Sequence, residues 1–91
     1  MIEVGDYYLC LEDVKLIDYN ERVYTKGKVY KSEIRECLTN DTGNKNHYWP
    51  DDSEYYNTDS DIFKKHFIKI SNPYKKRDRK LIDKVRNDTN S

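Results

Sequence analysis

Nine tyrosines and no alanine constrain this chain more than any motif does. Hydrophobic residues make up 35% of the chain and charged residues 37%, so aliphatic side chains alone cannot fill a core. Rings must supply much of the buried area, and tyrosine suits that role because it buries its ring while its hydroxyl finds a partner. Alanine is the strongest helix former, whereas aromatic and β-branched residues favour strands. The bias therefore predicts a mainly β fold. At 91 residues the chain makes one domain with at most an appendage.

Local patterns place the strands. Gly5-Asp6 is a turn signal, and Tyr7, Leu9 and Leu11 then alternate onto one face of a half-buried strand. Gly27 offers a second turn through a positive φ. After it, Tyr30, Ile34 and Leu38 share one face of a long strand. Asn40 to Asn44 reads as a hairpin connection with Gly43 in left-handed geometry. The returning strand, Lys45 to Trp49, ends at Pro50, which has no amide to donate. Asp59-Ser60-Asp61 supplies N-cap chemistry for a short helix, Ile62 to Phe67, and Phe67 to Ile70 reads as a closing strand. Short strands, tight turns and a helical turn before the last strand predict a small SH3-like β-barrel over residues 1–71.

Charge divides the chain where the pattern does. Residues 1–70 hold 10 Lys/Arg against 14 Asp/Glu, a balance of −4, and residues 71–91 hold 7 against 3, a balance of +4. Asn72-Pro73 marks the boundary, so residues 72–91 are expected to form a basic tail, helical or partly disordered. Tyr74, Leu81 and Val85 recur at helical spacing with Ile82 beside them. An isolated helix of about 14 residues is marginal in water, so the tail is expected to order only when docked. The acidic loop of its own or a neighbouring copy is the expected dock, and a chain ending at Ile70 is expected to stay folded.

The segments VGDYYLCLEDV, YTKGKVYKSEI, TNDTGNKNHYW and DIFKKHFIKI together resemble a group of small phage and prophage proteins. The likeness covers roughly residues 3–70 and rests on Gly5, Asp6, Tyr8, Cys10, Thr25, Gly27, Lys28 and Tyr30. It implies an SH3-like barrel, and it implies no catalytic residues.

Two surfaces are candidates for function. His47 to Tyr56 packs four rings and three carboxylates into ten residues, HYWPDDSEYY. Tyr48, Trp49, Asp51, Asp52, Glu54, Tyr55 and Tyr56 suit a protein interface, since rings give contact area and carboxylates steer basic partners. Taken with the phage resemblance, this surface points to a binder and inhibitor of a host protein such as a defence nuclease. The second surface is the tail. Tyr74, Lys75, Lys76, Arg77, Arg79, Lys80, Lys84 and Arg86 offer phosphate neutralisation and one ring for stacking, as in a nucleic-acid-binding accessory protein. A virion or assembly component that self-associates is a further reading.

Other chemistry is weakly represented. Cys10, Cys37, His47 and His66 have zinc-binding atoms without zinc-finger spacing. Asp51, Asp52, Glu54, Asp59 and Asp61 lack the calcium-loop pattern and its glycine. No nucleophile-elbow, zincin or phosphate-loop motif is present, so no metal, no cofactor and no enzyme activity are expected. No apolar run approaches the roughly 20 residues of a membrane span, and Met1 to Val4 does not read as a signal peptide. Two distant cysteines fit reduced thiols in a cytoplasmic protein, the host cytoplasm if the chain is phage-encoded.

Overall fold

The computed structural model describes residues 2–15, 22–35, 37–45 and 61–88, apart from the Ile62 side chain. In chain order the elements are β1 (Tyr7–Cys10), β2 (Val14–Lys15), β3 (Arg22–Tyr24), β4 (Val29–Lys31), α1 (Asp61–His66), β5 (Phe67–Ile70) and α2 (Lys76–Asn87). Two antiparallel sheets result: a three-stranded one in the order β4-β1-β5, and the β2-β3 pair. The body is thus mainly β with one short helix, and among the described residues neither sheet closes into a barrel.

Strand β1 organises everything else. Tyr8 lies opposite Tyr30 of β4 and Lys69 of β5, while Leu9 lies opposite Val29 and Ile68. Successive side chains leave a strand on opposite faces. Tyr8 and Cys10 therefore enter one cluster, with Ile2, Val14, Val23, Tyr24, Tyr30, Leu38, Phe63 and Phe67. Leu9 enters another, with Ile70 and Ile82, flanked by Tyr7, Leu11, Val29, Leu81 and Val85. The strand expected to be half-buried is covered on both faces.

The larger cluster is a ring core, as the composition demands. Tyr24 meets Tyr30 edge-on at 4.9 Å between centroids and Phe67 at 5.2 Å, while Phe63 stacks on Phe67 at 5.3 Å. Edge-to-face contacts bring the positive rim of one ring to the negative face of another. The buried Tyr24 hydroxyl donates to the Leu38 carbonyl at 2.7 Å, which meets its polar requirement.

Helix α2 closes the second face. Asp78, Leu81, Ile82 and Val85 fall on one side at three- and four-residue spacing, and Ile82 is 0% exposed against Leu9 and Ile70. Tyr74, expected to join that stripe, lies outside the helix and is 85% exposed. Pro73 and Tyr74 form a turn first, so the helix starts at Lys76. Its dock is the apolar face of the sheet. The acidic loop proposed as the dock lies outside the described residues.

Two further expectations change. The long strand from Tyr30 through Leu38 stops at Lys31. Ser32 still pairs with the first hairpin, its amide donating to the Asp6 carbonyl at 3.0 Å, but its hydroxyl then bonds the Ile34 carbonyl and the chain turns. Ile34 is left 40% exposed. Phe67, which the sequence assigns both to the end of the short helix and to the start of the closing strand, is the first residue of β5, opposite Cys10. The returning strand after Asn44 falls almost wholly outside the described residues, although Gly43 does take a φ of 84°.

Removing Ile82 tests the docking. Ile82→Ala is expected to cost about 2–5 kcal/mol, because a buried branched side chain leaves a cavity between helix and sheet. A urea titration followed by circular dichroism measures it. Ending the chain at Ile70 is expected to lower the melting temperature further, since Leu9 and Ile70 then meet water. Wild-type stability in both variants would show that the helix adds nothing to the body.

Candidate functional site

The turn from Thr25 to Lys28 is held by backbone and side-chain hydrogen bonds. The Lys28 amide donates to the Thr25 carbonyl at 3.1 Å with Gly27 at φ +85°, the left-handed third position of a tight turn. Gly27 and Lys28 extend the β1–β4 ladder: the Gly27 amide donates to the Cys10 carbonyl at 2.8 Å, and the Cys10 amide to the Lys28 carbonyl at 2.9 Å.

One carboxylate gathers the side chains around this turn. Asp41 Oδ1 accepts the Tyr30 hydroxyl at 2.6 Å, Asp41 Oδ2 accepts the Thr25 hydroxyl at 2.7 Å, and Lys28 Nζ lies 3.5 Å from Oδ1. The Thr25 amide in turn donates to the Tyr30 oxygen at 2.6 Å. Thr25, Gly27, Lys28 and Tyr30 are thus a structural unit: one residue makes the turn and three hold the carboxylate that braces it. Burial first, then the bond to Asp41, push the Tyr30 phenol above its ordinary range.

The C-terminal end of α2 ties onto the same turn. Arg86 Nε donates to the Gly27 carbonyl at 2.7 Å, and Lys26 Nζ donates to the Asp88 carbonyl at 2.9 Å. At the other end of the helix, Asp78 Oδ2 accepts the Ser71 and Asn72 amides at 3.0 and 2.9 Å. Asp78 sits in the first turn, where a carboxylate also favours the helix dipole. In the sequence it merely interrupts a basic run; in the fold it is buried and anchors that run to the sheet.

Between edge strand β4 and helix α2 lies a groove of about 660 Å³. Tyr7, Lys28, Lys31, Tyr74, Arg79 and Arg86 line it, together with the carboxylates Glu33 and Asp41. Four cations therefore face two acids, and the acids are committed. Asp41 holds Tyr30, Thr25 and Lys28, while Glu33 accepts the Thr39 hydroxyl at 2.7 Å and lies 3.5 Å from Lys45 Nζ. The Thr39 hydroxyl bond, with Lys45 behind it, holds the Glu33 carboxyl below its ordinary value. Arg79 pairs with Asp83 at 3.7 Å. Among the described residues, neither Lys31 nor Arg86 makes a salt bridge, although the Lys31 charge helps to hold the Glu33 carboxyl down; Lys31 stands over the Tyr7 ring, 5.8 Å from its centroid.

The helix period sorts the tail cations onto two sides. Tyr74, Arg79 and Arg86 line the groove. Lys76, Lys80 and Lys84, with Arg77, form an exposed stripe on another side of α2, and Lys75 is exposed just before it. Lys31 joins the groove only because β4 and α2 are neighbours in space, and no sequence signal announces that. Lys28 stands out in the sequence only as one of the residues on which the phage likeness rests.

Tyr48, Trp49, Asp51, Asp52, Glu54, Tyr55 and Tyr56 lie outside the described residues, as does His47. Cys10 and Cys37 are buried thiols outside any disulfide, and among the described residues no group of three His, Cys, Asp or Glu side chains could hold a metal ion. Burial, offset slightly by the bond from Cys10 Sγ to the Glu12 carbonyl at 2.9 Å, pushes the Cys10 thiol up to about 12. No described helix is long and apolar enough to cross a membrane. No protein-family model matches the chain, and no curated protein or solved structure shows significant similarity to it.

Two outcomes follow for the turn and its surroundings. A Cβ at position 27 would stand 2.8 Å from Arg86 Cγ, and the φ is left-handed. Gly27→Ala is therefore expected to cost about 1–2 kcal/mol from backbone strain alone, with displacement of Arg86 added. A melting temperature equal to that of the wild type would refute this account of the turn.

The second outcome concerns alkali. Cys10 and Tyr30 are acids whose neutral forms the fold favours, so their contribution is complete below the unfolded-state values and declines towards the folded-state ones. For Cys10 that window runs from its ordinary value of 9.0 to about 12. Urea midpoints measured from about pH 8 to about pH 11 are expected to fall, and less steeply in Cys10→Ala. A flat profile would contradict the burial of both groups.

Proposed function

We propose that this chain is a non-enzymatic module that binds nucleic acid through the groove between β4 and α2. The observation that carries the reading is the pair Lys31 and Arg86, groove cations in no salt bridge among the described residues, lining the same groove as the exposed ring of Tyr74. A phosphate chain supplies the missing counter-charge, and a base supplies a face for the ring. The two acids that line the groove are engaged in bracing, which supports a non-catalytic role.

The reading of the chain as a host-protein inhibitor rests on the 48–56 segment, which lies outside the described residues, and on the phage likeness. An SH3-like barrel remains our proposal for the complete body. Its support is the pairing of the first strand with the last and the short helix that precedes that last strand.

Fluorescence anisotropy with a labelled oligonucleotide of about ten nucleotides tests the proposal. Binding is expected to weaken steeply between about 50 and 200 mM salt, and each lost contact in Lys31→Ala or Arg79→Ala should reduce the log–log slope by about 0.7 on a single strand. The solvent-side variant Lys76→Ala/Lys80→Ala/Lys84→Ala is the control. Loss of binding in the control alone would move the interface out of the groove, and salt-independent or absent binding would overturn the proposal.

A further inference from the structure

We infer that the groove takes a single strand in preference to a duplex, with one unpaired base stacked on Tyr74. The inference rests on the nucleic-acid reading above and adds the form of the ligand.

Tyr74 is the described tyrosine that core building does not explain. Tyr8, Tyr24 and Tyr30 are buried, and Tyr7 is half-buried under Lys31, whereas Tyr74 is 85% exposed. A ring left in water on a loose loop would carry no message. This one stands on a braced turn. The Tyr74 amide donates to Asn72 Oδ1 at 2.8 Å, and the Lys75 amide donates to the Asn72 carbonyl at 3.1 Å. Two residues back, Asp78 fixes the Ser71 and Asn72 amides, and Pro73 removes the φ freedom of the position before the ring. The backbone that presents Tyr74 is therefore ordered before any ligand arrives, which lowers the entropic cost of a contact made there.

Stacking on an exposed phenol requires a base with a free face. In a duplex both faces are covered by neighbouring base pairs, and exposing one costs a few kcal/mol. A single strand offers its bases at little cost, and aromatic stacking then tolerates any sequence. The cations fit the same ligand. Lys31 and Arg86 reach the groove from its two walls, strand and helix, whereas the stripe of Lys76, Lys80 and Lys84 lies on another side of α2. Backbone contacts at the stripe discriminate poorly between nucleic acids, while the groove joins charge to a stacking face.

Three labelled probes separate the outcomes: a dT strand of about ten nucleotides, a duplex of the same length, and the strand with abasic sites. The dT strand is expected to bind more tightly than either of the others. Tyr74→Ala is expected to weaken strand binding roughly 5- to 150-fold, Tyr74→Phe to retain it, and the abasic strand to be indifferent to both. Tyr74 is exposed, so unchanged circular dichroism will separate lost stacking from lost folding. Equal affinity for strand and duplex, or no effect of Tyr74→Ala on the strand, overturns this inference while leaving groove binding in place. Failure of all three probes to bind in a salt-sensitive way overturns the groove reading and the inference together.

Discussion

Ile82 against Leu9 and Ile70 is the contact on which the rest of this structure depends. A three-stranded sheet with a ring core on one face would leave the other face in water, and β1 would expose the side of Leu9. Helix α2 removes that face from solvent through one fully buried side chain and two partly buried ones. Polar ties at both ends set where it lies: Asp78 on the Ser71 and Asn72 amides, and Arg86 on the Gly27 carbonyl. Apolar contact supplies the driving force, and the hydrogen bonds determine position, because each adds only about 1 kcal/mol net but is costly to leave unmade when buried.

That docking also makes the groove. One wall is the edge strand β4 with Lys28 and Lys31, and the other is α2 with Arg79 and Arg86. Neither wall forms the groove alone. The turn at Gly27 couples them, since the segment that Asp41 braces from one side is gripped by Arg86 from the other. Structure and site therefore share residues, and Arg86 both holds the fold together and adds charge to the groove.

The tail shows how charge composition misleads about organisation. A run with seven cations and three acids reads as a tail of opposite sign to the body, ordered only when docked and drawn to an acidic loop. In the fold, one of its acids is buried as an anchor, two of its arginines face a groove, and its three aliphatic residues complete a core. The helical period was legible, but the stripe was centred on Tyr74, Leu81 and Val85 instead of on Ile82. A helix pattern defines relative angles around an axis without saying which arc meets a partner.

What the sequence determined by itself was local. Tyrosine richness without alanine required a ring core and strands, and Tyr8, Tyr24 and Tyr30 form that core. Gly27 and Gly43 marked left-handed turns, and Phe67 to Ile70 marked the last strand, because φ preference and two-residue alternation act within a few residues. Tertiary structure alone decided the remainder. That Asp41 would collect Thr25, Lys28 and Tyr30, that Asp78 would be buried, and that Lys31 would face Arg86 across a groove all depend on contacts between residues distant in sequence. Such contacts are selected by how whole faces pack, since an apolar stripe is satisfied by any complementary face and its sequence does not name which one. Here the available face was the Leu9 side of β1, and covering it turned a basic tail into the second wall of a groove.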